Sequence, residues 1–194
     1  MQLRRLALAA LVLGALPLTA ANAAKALPCK QISDIEGDGH TAGVSSAALD
    51  LLSADISTGP KEITATLRLK SSAVESDNAL VGGAIWNFNV TAGGIKYTFS
   101  AQWPSIFTVG ERKLEGDLTA GSNPSNPPAT FKRVGNDFLW TVPRAAMPVL
   151  KKSKQFIEIT SATSGANSLG GSDSAFAKTG TKYLDKTPTC LRSK

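Results

Sequence analysis

The chain has 194 residues, with 21 Lys+Arg against 15 Asp+Glu, one histidine and two cysteines, and a formal net charge of +6 at pH 7. So mild and scattered an excess excludes a nucleic-acid-binding domain, which needs a concentrated basic stripe. The lone His40 argues against zinc and leaves no second histidine for acid–base work.

The chain opens with the three parts of a secretory signal. Arg4 and Arg5 are the positive part, Leu6 to Leu18 the apolar run, and Ala21-Asn22-Ala23 the small residues a signal peptidase reads. We expect a signal peptide at 1–23 and a single domain at 24–194, secreted or held at the cell surface or in the periplasm. The apolar run is too short for a bilayer core of about 30 Å. No other segment is long and apolar enough, so no transmembrane segment is expected in the mature chain. Pro28 precedes Cys29, where a lipoprotein would carry a small residue.

Cys29 and Cys190 lie just inside the two ends of the mature chain. In an oxidising compartment they allow one intramolecular pairing, so one disulfide tying the ends together is expected. Closing so long a loop is worth roughly 5 kcal/mol in the chain-entropy model.

An acidic loop follows. Asp34-Ile35-Glu36-Gly37-Asp38-Gly39 spaces carboxylates like the first half of a calcium loop, with glycine at the sharp turn. Ser45 stands where an EF-hand would carry its bidentate Glu. A sandwich-type Ca²⁺ site would therefore draw on Asp34, Glu36 and Asp38, with Asp50 at the mouth of the next strand. Asp173 joins them if the disulfide brings the last strands beside the first. The alternative is that these acids make Asx-type turns in a solvated loop.

From here the dominant period is two. Leu49–Ser57 reads as a strand ending at Thr58-Gly59-Pro60. Ile63, Ala65, Leu67 and Leu69 alternate with polar residues, as do Trp86, Phe88 and Val90, then Tyr97, Phe99, Ala101 and Trp103. Ala92-Gly93-Gly94 separates two of these strands as a hairpin. Gly121 to Pro128 is a polar loop, and Gly135-Asn136-Asp137 turns Phe131–Val134 into Phe138–Val142. A short helical turn within Val142 to Leu150 and strands over Gln155–Ala162 and Ser174–Tyr183 complete the list. One apolar and one polar face per strand is the mark of antiparallel sheets packed face to face. The expected fold is all-β: a single antiparallel two-sheet β-sandwich, jelly-roll or immunoglobulin-like, closed by one disulfide.

The rings of Trp86, Phe88, Tyr97, Phe99, Trp103, Phe138 and Trp140 share the core phase, with Trp103 least committed because Pro104 follows it. Phe107 and Tyr183 are the other candidates for an exposed ring. Lys151-Lys152-Ser153-Lys154, joined by Lys132 and Arg133, forms the one basic cluster. No nucleophile elbow is present, and the carboxylates are scattered over turns and strand ends.

Asp34-Ile35-Glu36-Gly37-Asp38, Leu49-Asp50-Leu51-Leu52-Ser53-Ala54-Asp55, Ile63-Thr64-Ala65-Thr66-Leu67, Trp86-Asn87-Phe88-Asn89-Val90 and Trp140-Thr141-Val142-Pro143 stand in the order of motifs in many exported bacterial, especially actinobacterial, domains. Those domains begin with a D-P-x-G-D-like segment, and Ile35 replaces its proline here. They are similar to family 9 carbohydrate-binding modules and DOMON-like domains. The resemblance implies a non-catalytic sandwich, in some relatives with calcium near the acidic loop. The functional expectation is an exported, non-enzymatic binding or surface-associated domain, with Ca²⁺ as a candidate structural ion. A glycan or cell-wall polymer-binding module and a small secreted hydrolase using carboxylates are the alternatives.

Overall fold

The computed structural model describes residues 32–41, 44–121, 126–147, 149, 156–166, 172–175 and 182–184. Cys29, Cys190, the signal segment and Lys151 to Lys154 lie outside the described residues.

Two antiparallel sheets face each other, consistent with a β-sandwich. The smaller runs β1 (Ile32–Ser33), β4 (Leu51–Thr58), β5 (Glu62–Leu69), β10 (Asp137–Pro143) and β9 (Thr130–Val134) in spatial order. The larger runs β3 (Val44–Ser45), β2 (His40–Thr41), β12 (Ser172–Ala175), β11 (Phe156–Ala166), β6 (Ala84–Ala92), β7 (Ile95–Trp103) and β8 (Glu115–Ala120). β13 (Lys182–Leu184) also pairs with β11.

The alternation seen in the sequence sets the faces. Ile63, Ala65, Leu67 and Leu69 of β5 and Phe138, Trp140 and Val142 of β10 turn inward from one sheet. Trp86, Phe88 and Val90 of β6 and Tyr97, Phe99 and Ala101 of β7 meet them from the other. The Trp86 and Phe138 rings stand edge to face across the interface, 5.2 Å between centroids. Each of these two buried indoles has an acceptor: Trp86 Nε1 donates to Ala48 O at 2.8 Å, and Trp140 Nε1 donates across the layers to Ser100 O at 3.0 Å. Burying each ring contributes about 2–3 kcal/mol, and the satisfied N–H groups keep that gain from being offset.

The β6–β7 hairpin turns through Gly93 and Gly94, at φ +57° and +80°, a left-handed pair that only glycine adopts freely. Of the expected strand Ser174–Tyr183, residues 174–175 fall in β12 and 182–183 in β13, and 176–181 lie outside the described residues. One expectation needs correction. β8 forms where no strand was expected: its Gly116 leaves the space Phe131 fills, since a Cβ there would sit 2.3 Å from Phe131 Cγ. The helical turn is a 3₁₀ turn over Arg144–Ala146.

Candidate binding site

The acidic loop packs on the segment that leads into β4. Gly37 N donates to Asp50 Oδ2 at 2.8 Å, Asp34 N donates to Leu52 O at 3.2 Å, and Gly39 lies so close to Asp50 that a Cβ would sit 2.5 Å from its backbone. Asp34 Oδ1 accepts from Ile35 N at 2.9 Å, the next residue and not the one two along that an Asx-type turn engages. Asp50 is 2% exposed, and its Oδ1 has no hydrogen-bond partner among the described residues. The nearby cation is Lys70, whose Nζ lies 3.4 Å from Glu36 Oε1 and 3.7 Å from Asp50 Oδ2. Among the described residues no three His, Cys, Asp or Glu side chains form a group that could hold a metal ion. Glu36 and Asp50 thus share the Lys70 ammonium, and Asp50 also holds the Gly37 amide. Ser172 pairs with His40, so β12 does reach the strand that follows the acidic loop, and Asp173 pairs in register with Ser164.

A second region was only partly legible. On the outer face of the larger sheet, Asp117, Ser100, Asn87 and Thr163 form one cross-strand row, and Thr119, Thr98, Asn89 and Ser161 form the next. Ser100 Oγ donates to Asn87 Oδ1 at 2.8 Å, Thr98 Oγ1 to Asn89 Oδ1 at 2.7 Å, and Asn89 Nδ2 to Ser161 Oγ at 3.0 Å. The face is therefore a fixed ladder of hydroxyls and amides. It ends at the row Glu115, Gln102 and Ile85, the floor of a cavity of about 540 Å³. Its wall is the 104–114 loop, through Ser105, Thr108, Glu111 and Lys113.

That loop is tied down at its base. Ile106 N donates to Val81 O at 2.9 Å, and Arg112 donates from Nε to Pro104 O and from Nη2 to Leu80 O. The Arg112 guanidinium lies 4.4 Å from the centroid of the Trp103 ring, within cation–π range. The tip points outward: Phe107 is 82% and Val109 100% exposed. Trp103 follows the core phase yet lines the cavity, and its buried Nε1, unlike those of Trp86 and Trp140, has no acceptor among the described residues. Sequence reasoning had singled out Trp103 and Phe107; it missed Gln102, Arg112, Lys113 and Glu115, which only the folded edge assembles. Tyr183 lies on β13, and nothing is described of its side chain.

Compared with known proteins, the chain matches no family model, no curated protein and no solved structure.

Proposed function

We propose that the protein is an exported, non-catalytic β-sandwich domain that binds a polyhydroxylated polymer, a glycan of the cell wall or a free polysaccharide. The ligand lies along the hydroxyl and amide rows of the larger sheet and against the 104–114 loop. The observation that carries this reading is an aromatic ring, Phe107, held almost wholly in solvent on an anchored loop beside a cavity lined by both donors and acceptors. A ring face stacks on the apolar face of a sugar, and convergent polar groups fix its orientation. The jelly-roll topology, the Cys29–Cys190 bond and the exported location belong to the same proposal. In it the acidic loop is scaffold: Asp50 Oδ1 is the oxygen a Ca²⁺ ion would use, and Lys70 competes for the same carboxylate.

The test is retention of the mature chain on insoluble polysaccharides and purified cell wall. The wild type is retained on at least one, and Phe107→Ala elutes with the wash. Failure of the wild type on every matrix overturns the reading.

A second reading rests on Glu111 and Glu115, two carboxylates lining the same cavity, the minimum a glycosidase requires. Turnover of a retained polymer that Glu115→Gln abolishes, with retention intact, would replace binding by hydrolysis.

A further inference from the structure

The larger sheet ends at β8 and the smaller at β9, and these two edge strands lie side by side. Along their seam is a second cavity, of about 300 Å³, floored by Phe131 and Trp103. Its charged lining is Arg112, Lys113, Lys132 and Arg133 against one carboxylate, Glu75. Lys113 and Arg112 arrive from the loop before β8, Lys132 and Arg133 from β9, and Glu75 from the turn after β5. Four cations from two sheets thus meet at one opening.

Three of the four charges are not cancelled by a carboxylate among the described residues. Glu75 is committed to Arg133, whose Nη1 lies 2.8 Å from Oε1 and 2.9 Å from Oε2. Among the described residues Arg112 donates to neutral carbonyls and lies over the neutral Trp103 ring. Neither Lys113 nor Lys132 has an ion-pair partner among the described residues. The next carboxylates, Glu111 and Glu115, line the first cavity, which shares Lys113 and Trp103 with the second. Cations gathered with so little compensation raise the local potential and favour an anion that can accept several hydrogen bonds.

We infer that this seam cavity is an oxyanion site, taking the phosphate or carboxylate substituents of a polymeric ligand. The inference goes beyond glycan binding, because it rests on the charges of the seam and not on the Phe107 groove. The two sites adjoin through Lys113 and Trp103. A chain lying in the first cavity can therefore present acidic groups to the second.

Isothermal titration of the mature protein at low salt tests it, with tripolyphosphate and an oligogalacturonate as separate probes. Lys113 and Lys132 are exposed, so the Lys113→Gln/Lys132→Gln double variant keeps its fold, as an unchanged melting midpoint will show. At least one probe binds the wild type, more weakly as salt rises, and the double variant binds it roughly tenfold less tightly. The probe that binds tells phosphate from carboxylate. Phe107→Ala leaves the tripolyphosphate affinity unchanged while losing retention on neutral polysaccharide, which separates the two sites. Absence of binding to both probes, or equal affinity in the double variant, overturns the inference and leaves the groove reading standing.

Discussion

Gly116 of β8 and Phe131 of β9 occupy one another's space: the ring fills the position where a Cβ on residue 116 would lie, 2.3 Å from Phe131 Cγ and 2.4 Å from Cδ2. The contact joins the edge of one sheet to the edge of the other, and Phe131 passes it on to Trp140 and Phe138, at 5.2 and 5.6 Å between centroids. A methyl group at 116 must push the ring off that stack. Gly116→Ala should cost about 1–3 kcal/mol in urea unfolding, the usual range for overpacking. Phe131→Leu in the same chain should recover part of the loss. Additive costs in the double variant would show that the two residues do not compete.

The Asp50–Lys70 contact predicts how the acidic loop is held. Removing the ammonium leaves a buried carboxylate with only the Gly37 amide, so Lys70→Met should destabilise by about 1–2 kcal/mol. With Lys70 present, saturating EDTA should leave the melting midpoint unchanged. A midpoint that falls on chelation would mean that a metal ion, and not Lys70, neutralises the loop.

The Glu75–Arg133 pair gives a pH dependence. Hydrogen bonding to Arg133, the largest cause, holds the Glu75 carboxyl below its ordinary value of 4.5. A depressed folded pKa stabilises above the unfolded value, and that contribution is lost as pH falls through the folded one. Because both side chains are substantially exposed, Glu75→Gln should cost less than about 1 kcal/mol at pH 7. The gap between variant and wild type should close as pH drops below 4.5. A gap that persists in acid would assign the effect to packing.

Phe107 supplies a prediction about independence of stability and binding. Its side chain projects from the loop, so Phe107→Ala should shift stability by less than about 0.5 kcal/mol, as surface substitutions do. Trp103→Phe keeps most of the ring but removes Nε1, which has no described acceptor to lose. Because the side chain is buried, the smaller ring should leave a void costing about 1–2 kcal/mol in unfolding. A loss well above that range would assign the N–H a structural partner.

What could be read in the sequence was whatever depends on near neighbours. The inward phase of Trp86, Phe88 and Val90 or of Phe138, Trp140 and Val142 follows from alternation alone, and the Gly93-Gly94 hairpin from turn chemistry. β8 was not legible because Gly116 and Asp117 break the strand signal, and the reason for the glycine is a ring fifteen positions away. The bulge between Leu51 and Ser53 moved the pairing of β4 in a way no local pattern announces. The acidic loop was visible as a motif, but the ammonium beside it comes from Lys70, beyond the end of β5. The groove was half legible. Trp103 and Phe107 drew notice as rings; Gln102, Glu115, Arg112 and Lys113 look like ordinary surface until β7, β8 and the loop joining them bring them together.

One consequence concerns the order in which the molecule can assemble. β11, made from residues 156–166, stands between β6 on one side and β12 on the other, and it also receives β13. A nascent chain lacking it has β6 with a bare edge and nothing to dock β12 against, so the larger sheet stays open until nearly all of the polypeptide has emerged. Contacts this remote in sequence form slowly. The larger sheet can close only once the last fifth or so of the chain is released, with the architecture itself supplying the delay.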